Sequence, residues 1–206
     1  SSPLRTKRKP RASRLSPRFC YSYFALYGDP LLDGAADPYP DGYLARLAES
    51  GVDGVWLHIV LSKLAPFPWD AKESEHFEQR LKNLRALVAR AGKHGIKVYL
   101  YLNEPRAQPL KFFESRPHLK GFDATRGWEI GTATLCTSVP EVQNYLRDSI
   151  AHVGRAVPQL GGFFTITASE NLTNCWSHFD ATKCPRCSKR SPAEVLTELN
   201  TIYSDG

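Results

Sequence analysis

Methionine is absent from this sequence, and no run of apolar residues is long enough to cross a membrane. The chain has 206 residues and no methionine, whereas a membrane-spanning helix needs about 20 consecutive apolar residues. The basic first residues are not followed by the apolar stretch and cleavage site of a signal peptide. We therefore expect a soluble protein, with the cytoplasm favoured and no membrane partner. The lack of any methionine, the initiator included, leads us to expect a piece of a longer chain.

Acidic residues are absent from the first 18 positions, which hold seven of the 27 basic residues. Subtracting these seven leaves 20 basic residues against 21 acidic ones, so the net charge of +6 belongs to the arm. A short basic arm with Pro and Ser is typical of a solvated, disordered tail. We interpret residues 1–18 as such a tail and residues 19–206 as the folded domain. No nucleic-acid partner is expected, because the domain itself is nearly neutral.

Four strand-like runs alternate with four helical patterns. The runs rich in β-branched and aromatic residues cover residues 19–27, 54–61, 96–103 and 162–168. Apolar residues at three- and four-residue spacing predict helices over residues 40–50, 75–93 and 140–157, and from residue 192 onward. Strands that alternate with helices predict a parallel sheet, because parallel neighbours need a crossover connection. The predicted fold class is therefore α/β.

Doubly wound sheets and (β/α)8 barrels both begin with this order of elements. No G-x-G-x-x-G follows the first strand, which weakens the dinucleotide-binding interpretation. Polar residues instead follow all four strands, as in a barrel that builds its active site at the carboxyl ends of its strands. The sequence therefore predicts a TIM barrel, with only the first four βα units in this chain. The C-terminal half of the barrel is expected in the parent chain.

Alternation along the strands predicts which side chains face a ligand. Counting in steps of two from Asn103 and His58 places Tyr101 and Trp56 on the inner side and the aliphatic residues between them against the helices. A buried structural histidine is the alternative for His58. The substrate-binding candidates at the strand ends and in the following loops are Tyr27, Asp29, His58, Asn103, Arg106, Asn171, Asn174 and Trp176.

Two glutamates are the candidate catalytic residues. Glu170 follows the fourth strand, where apolar surroundings would raise its pKa enough for it to protonate a leaving group. Glu104 follows the third strand and ranks second, ahead of Asp29 and Asp33. The alternative for each glutamate is a structural carboxylate that caps a helix or pairs with an arginine, which would be Arg106 in the case of Glu104.

Three segments resemble TIM-barrel glycoside hydrolases. Residues 163–171, Phe-Phe-Thr-Ile-Thr-Ala-Ser-Glu-Asn, are similar to the fourth strand of the large retaining superfamily and of the hexosaminidases. Those families have Asn-Glu and Asp-Glu at this point, whereas this chain has Ser169 before the glutamate. Residues 91–100 and 47–56 resemble the transitions into the third and second strands. The resemblance covers residues 19–203 and implies the N-terminal half of such a barrel.

The resemblance implies that Glu170 is the general acid/base of a glycosidase that acts on a carbohydrate or glycoconjugate. A second carboxylate would stabilise the oxocarbenium-like centre, and in the retaining superfamily it lies on the seventh strand, outside this chain. No cofactor is expected for catalysis. An isolated half barrel with an unpaired sheet edge would be unstable or inactive.

Two other functions compete with the glycosidase interpretation. One is a non-catalytic carbohydrate-binding or scaffold protein on a barrel-like fold. The other is a metal-dependent hydrolase or an aldolase-type lyase, which is disfavoured because no H-x-H follows the first strand and no Lys ends a later strand.

The connection between residues 104 and 139 lacks a strong periodicity and is rich in Arg, Pro, Phe, Gly and Trp. A structureless stretch of this length in a compact domain is usually functional. We therefore predict an active-site loop or lid, in which Phe112, Phe113 and Trp128 serve either sugar stacking or loop packing.

Cys175, His178, Cys184 and Cys187 form the pattern C-x2-H-x5-C-P-x-C. Thiolates two residues apart around a proline are typical of a structural zinc site, whose fourth ligand is His or Cys. We predict a closed zinc site that fixes the loop after Glu170. The alternatives are a disulfide with one free thiol, or unligated thiols. The other two of the five cysteines lie far apart in sequence and indicate little.

Overall fold

The computed structural model describes residues 15–34, 37–167 and 171–206. The strands in these ranges are β1 (Phe19–Cys20), β2 (Gly54–Ile59), β3 (Lys97–Leu102), β4 (Gln108–Pro109), β5 (Lys120–Asp123), β6 (Thr132–Leu135) and β7 (Gly162–Thr165). The α-helices are α1 (Asp41–Glu49), α2 (Phe77–Gly92), α3 (Pro140–Ala156) and α4 (Pro192–Asp205). The mixed α/β class is confirmed. Glu170 lies outside the described residues, as do residues 1–14 of the predicted tail.

The main sheet is parallel and has the strand order β1-β2-β3-β7. Its two central strands pair over six residues, with Trp56 opposite Tyr99 and His58 opposite Tyr101. The strands follow one another in chain order across the sheet, as they do in a (β/α)8 barrel. A doubly wound sheet reverses its strand order at a switch point, and the four strands described here contain no such reversal.

The helices cover one face of this sheet and form the main core with it. Val98, Leu100 and Leu102 of β3 are fully buried, and α2 packs against this strand. The buried residues of α2 include Leu84 and Ala91, which recur at helical spacing on one side of the helix. The predicted alternation of strand side chains is therefore confirmed for β2 and β3, whose buried and half-buried residues alternate.

The predicted element boundaries hold best for the helices, whose observed ends lie close to the expected positions. The first strand is much shorter than expected, because β1 ends at Cys20 and a 3-10 turn follows over Tyr23–Ala25. The backbone N–H of Ser22 donates to the hydroxyl of Tyr39, 3.2 Å away. The chain therefore leaves the sheet after Cys20. Residues 21–27 have the composition of a strand, but they form a turn in which Tyr21 stacks on Trp56.

The long connection after β3 contains a second sheet, which corrects the prediction of a structureless loop. Its three antiparallel strands have the order β4-β6-β5. Strands of two to four residues are too short to produce a visible period in the sequence. Among the aromatic candidates in this connection, Phe113 is buried, Phe112 packs 6.2 Å from the ring of Phe67, and Trp128 is exposed.

The described end of the predicted tail is bonded to the domain. The hydroxyl of Ser16 donates to Asp53 Oδ2 at 2.7 Å, and the backbone N–H of Arg18 donates to the same carboxylate. None of the helices in the described ranges combines the length and the apolar character needed to cross a bilayer.

Replacing Leu100 with alanine tests the position of the core. This side chain is fully buried at the centre of β3, so the change leaves a cavity, and we expect the free energy of unfolding to fall by about 2–5 kcal/mol. Leu110→Ala is the matched control, because Leu110 is largely exposed and should cost less than about 1 kcal/mol. Urea denaturation measures both values. Equal losses for the two variants would contradict the assignment of this face to the core.

Candidate functional site

The face of the main sheet that points away from the helices is lined with aromatic rings. Trp56 and Tyr101 lie 5.1 Å apart between ring centroids, and Tyr101 lies 5.4 Å from Phe164 of β7. Phe19 of β1 contacts Tyr99 at 4.8 Å. We call these five residues the aromatic face. It follows from the period of two along each strand, since β2 places Trp56 and His58 on this side and β3 places Tyr99 and Tyr101 there.

The aromatic face is partly open to solvent. Phe19 is 43% exposed and Phe164 is 41% exposed, although large aromatic side chains are ordinarily mostly buried. These two residues lie on the outer strands of the sheet, whose central strands carry the half-buried Trp56 and Tyr101. The surface therefore offers ring faces to a ligand or to further structure that packs on it.

Two polar groups follow this face toward the carboxyl ends of the strands. His58 lies 5.4 Å from Tyr101 between ring centroids, and Asn103 is the next inward position after Tyr101 on β3. Among the described residues, neither His58 Nε2 nor Asn103 Oδ1 has a hydrogen-bond partner, although both atoms are buried. Buried polar atoms are normally paired, so these two are available to a ligand hydroxyl or to a group outside the described ranges.

His58 is uncharged at neutral pH. Burial lowers its pKa below the ordinary value of 6.5, and the positive charge of Arg106 adds to this effect. A neutral imidazole has one donor and one acceptor nitrogen. The ring of His58 already bonds the backbone of Leu26, so Nε2 is the nitrogen that can form a hydrogen bond with a neutral, hydroxyl-rich ligand.

Glu104 lies on the opposite side of the sheet, between the strands and the helices. Its side chain is only 2% exposed. Oε1 accepts from the backbone N–H of Leu61 at 2.7 Å, and Oε2 accepts from that of Arg106 at 3.0 Å. The hydroxyl of Tyr203 in α4 donates to the backbone carbonyl of Glu104. The carboxylate thus joins the chain after β2 to the chain after β3, and it does not reach the aromatic face.

Burial raises the pKa of Glu104 to about 7, because removing the charge from water outweighs the two backbone donors and the nearby charge of Arg106. Burial and, after it, the charge on Glu104 also raise the pKa of Tyr145 in α3. The carboxyl group therefore carries its proton in mildly acidic solution while the protein is folded.

The candidates after the first strand are held at the side of the sheet. Asp29 Oδ2 accepts from Arg80 Nε at 2.8 Å, and the arginine is almost fully buried in α2. Tyr27 is exposed and contacts Tyr23 at 4.9 Å between ring centroids. One oxygen of Asp29 is therefore paired with Arg80.

The loop after β7 is bonded back to the end of that strand. Asn174 is fully buried, and its Nδ2 donates to the carbonyl of Thr167 at 2.5 Å. Thr173 Oγ1 donates to the same carbonyl at 3.1 Å. Asn174 Oδ1 accepts from the backbone N–H of Trp176 at 2.8 Å, and the indole nitrogen of Trp176 is buried with no partner in the described part of the chain. Asn171 is half-buried at the start of the same loop.

Three of the four predicted metal ligands lie together, and a different fourth residue joins them. Cys175, Cys184 and Cys187 are clustered with Cys136, which directly follows β6. His178 lies elsewhere, with its Nε2 3.9 Å from Glu129 Oε2. The spacing pattern missed Cys136 because this residue reaches the cluster only through the small antiparallel sheet. The only hint in the sequence was that the fourth ligand of a structural zinc site can be either His or Cys.

The structure comparison found glycoside hydrolases. The GH36 α-galactosidase AgaA from Geobacillus stearothermophilus aligns with 80% of this chain at 15% identity and a TM-score of 0.48. The chitobiase of Flavobacterium johnsoniae aligns with 91% at 16% identity and 0.48, and a GH138 enzyme that targets pectin rhamnogalacturonan II with 80% at 16% identity and 0.46. The alignments span 23%, 30% and 21% of those proteins. No family model and no curated protein matches the chain.

The buried carboxyl group of Glu104 predicts a particular dependence of stability on pH. Its pKa is about 7 in the folded protein and 4.5 in the unfolded chain, so the folded state holds the proton more tightly. The free energy of unfolding should therefore fall by about 3 kcal/mol as the pH rises from about 4.5, through the folded pKa, to about 8, where the carboxyl group is ionised in both states. Glu104→Gln has no carboxyl group at this position and therefore lacks this pH dependence. The change that its altered hydrogen bonds make to the free energy of unfolding is the same at every pH.

Urea denaturation of the unmodified protein and of Glu104→Gln between pH 4 and pH 8 measures this effect. The readout is how the difference between their free energies of unfolding changes with pH. Glu78→Gln on the exposed face of α2 is the matched control, and it should keep the slope of the unmodified protein. Parallel curves for the unmodified protein and Glu104→Gln would show that Glu104 does not titrate in this range.

Proposed function

We propose that this chain forms the first four βα units of a (β/α)8-barrel glycoside hydrolase, with Glu170 as its general acid/base. The observation that carries the proposal is the aromatic face, at whose carboxyl-terminal edge His58 and Asn103 each bury a polar atom with no partner among the described residues. Ligand sites combine mainly apolar and aromatic walls with a few placed polar groups. A sugar matches this combination, because its ring has apolar C–H faces and a rim of hydroxyl groups.

The shape of the sheet supports the barrel part of the proposal. The strands lie in chain order, the helices cover one face, and the other face is aromatic and partly open. In a barrel, the side chains of that other face fill the interior. In a doubly wound sheet, helices would cover both faces. Further strands that pair with β1 and β7 would complete the barrel and enclose the aromatic face.

Chain position supports the role of Glu170. It follows β7 by five residues, and the carboxyl ends of parallel strands lie at one edge of a sheet. His58 on β2 and Asn103 at the end of β3 lie at the same edge of the sheet, and β3 is the strand that pairs with β7. A carboxylic acid there would donate its proton to the glycosidic oxygen as the bond to the anomeric carbon breaks, and a second carboxylate would stabilise the resulting positive charge.

The second carboxylate is assigned to the strands that would complete the barrel. Glu104 already accepts two backbone N–H groups on the helix side, and Asp29 is paired with Arg80. Sugar, linkage and stereochemical course depend on that part of the barrel.

Hydrolysis of aryl β-glycosides, N-acetylhexosaminides included, by the full-length protein tests Glu170. Glu170→Gln should lower kcat/KM by about 10²–10⁴-fold, since the change removes general acid catalysis. Substrates with better leaving groups need less protonation and should recover part of the rate. Glu78→Gln makes the same chemical change on the surface and should leave the rate unchanged. Full activity of Glu170→Gln would remove this residue from the mechanism.

A protein that binds these sugars but hydrolyses none of them would support the non-catalytic carbohydrate-binding alternative. In that case, Glu170→Gln should leave sugar binding unchanged, which isothermal titration measures.

His58 tests the ligand-binding edge separately from the acid. His58→Ala removes one hydrogen bond between neutral partners, so KM for the best substrate of the panel should rise by roughly tenfold. His76→Ala is the matched control, because His76 is exposed before α2. Unchanged KM together with a loss of thermal stability would assign His58 to the core instead.

A further inference from the structure

Four cysteine side chains meet in the interior, beside the small antiparallel sheet and the turn that precedes α4. The sulfur atoms of Cys136, Cys175, Cys184 and Cys187 all lie within 4.8 Å of one another, and all four residues are fully buried. Cys136 Sγ lies 3.7 Å from the Sγ atoms of both Cys184 and Cys187. None of them forms a disulfide, in which the sulfur atoms would be about 2 Å apart.

We propose that these four cysteines bind one structural Zn²⁺ ion. Zinc–sulfur bonds of about 2.3 Å in a tetrahedron place the sulfur atoms about 3.8 Å apart, which matches the two separations of 3.7 Å. This spacing fits a single ion and leaves no room for a cluster of several iron atoms. Four protein ligands complete the tetrahedron, so the ion would have no open position for water or substrate.

Positive and N–H groups surround the sulfur atoms. Arg186 Nε donates to Cys136 Sγ at 3.2 Å, and the backbone N–H of Cys187 donates to Cys184 Sγ at 3.5 Å. Four thiolates around Zn²⁺ carry a net charge of −2, which a buried site must offset. Hydrogen bonds to metal ligands orient them and tune the site. These donors place positive charge against the sulfur atoms of Cys136 and Cys184.

The local sequence fits a metal knuckle. Cys184-Pro185-Arg186-Cys187 forms a tight turn, in which the N–H of Ser188 donates to the carbonyl of Cys184 at 3.0 Å. Gly121 of β5 faces the cluster, and a Cβ atom there would come within 2.6 Å of Cys175 Sγ. The backbone of the small sheet can approach the sulfur atoms this closely only because this residue is glycine.

His178 lies outside the group of four cysteines. Its imidazole lies beside Glu129, with 3.9 Å between Nε2 and Oε2, and its ring is 6.0 Å from that of Phe122. The four-cysteine site joins three parts of the chain: the residue after β6, the loop after β7 and the turn before α4. The metal would therefore fix the loop that follows Glu170.

Metal analysis of the full-length protein, purified without a histidine tag, tests the proposal. We expect about one zinc ion per chain by plasma mass spectrometry. Cys136→Ser and Cys184→Ser should each lower the zinc content at least tenfold. Cys20→Ser, which changes the cysteine outside the cluster, and His178→Gln should both keep the metal. Equal losses in His178→Gln and Cys136→Ser would overturn the four-cysteine assignment.

Two further measurements test the proposal even if the cysteine variants fail to fold. Exchange of zinc for Co²⁺ should produce the strong visible absorption of a tetrahedral cobalt thiolate, together with sulfur-to-cobalt charge-transfer bands. Arg186→Ala keeps all four ligands and should weaken zinc affinity by about 10–100-fold in competition with a chromophoric chelator. A folded protein that carries disulfides between these cysteines, contains no metal, or contains iron in place of zinc would overturn the proposal.

Discussion

The pairing of β2 with β3 is the constraint on which the rest of the structure depends. The register sets Leu57 beside Leu100 on the helix side and His58 beside Tyr101 on the other side. A slip of one residue in either strand would turn its leucines outward and bury its aromatic and histidine side chains under the helices. The buried face thus fixes the register, and the register in turn fixes which side chains a ligand can meet.

Two features that would be unfavourable in a free-standing domain have a common explanation in the proposed barrel. The outer strands β1 and β7 each pair on one side only within the described chain, and the aromatic face next to them is partly open. Unpaired strand edges and exposed apolar patches both favour association. Closure of the sheet into a barrel would cover the edges and the face together, whereas a layer of helices over the face would leave the edges unpaired.

The sequence rules worked where structure is local and failed where it depends on distant contacts. Alternation along β3 predicted the inward positions of Tyr101 and Asn103. The same rule, carried one residue further, turns Glu104 toward the helices, so its distance from the aromatic face was predictable. The position of Cys136 in the cysteine cluster was not predictable. Strands of only two to four residues bring it to cysteines about 40–50 positions away, and such a contact leaves no local period in the sequence. Glu170 lies outside the described residues, and its role rests on chain position and resemblance.

Hydrogen bonds between buried groups hold the loop that flanks Glu170, together with the apolar packing of Leu172. The N–H of Leu172 donates to both oxygens of the buried Glu129, at 3.1 and 3.0 Å, and Thr173 and Asn174 donate to the carbonyl of Thr167. Buried polar groups are costly unless they are paired in this way. A thick apolar core at the carboxyl-terminal edge would fill the space that a ligand needs. A metal centre stabilises a loop through four small side chains, so a site of this kind can fix the loop while the edge stays open.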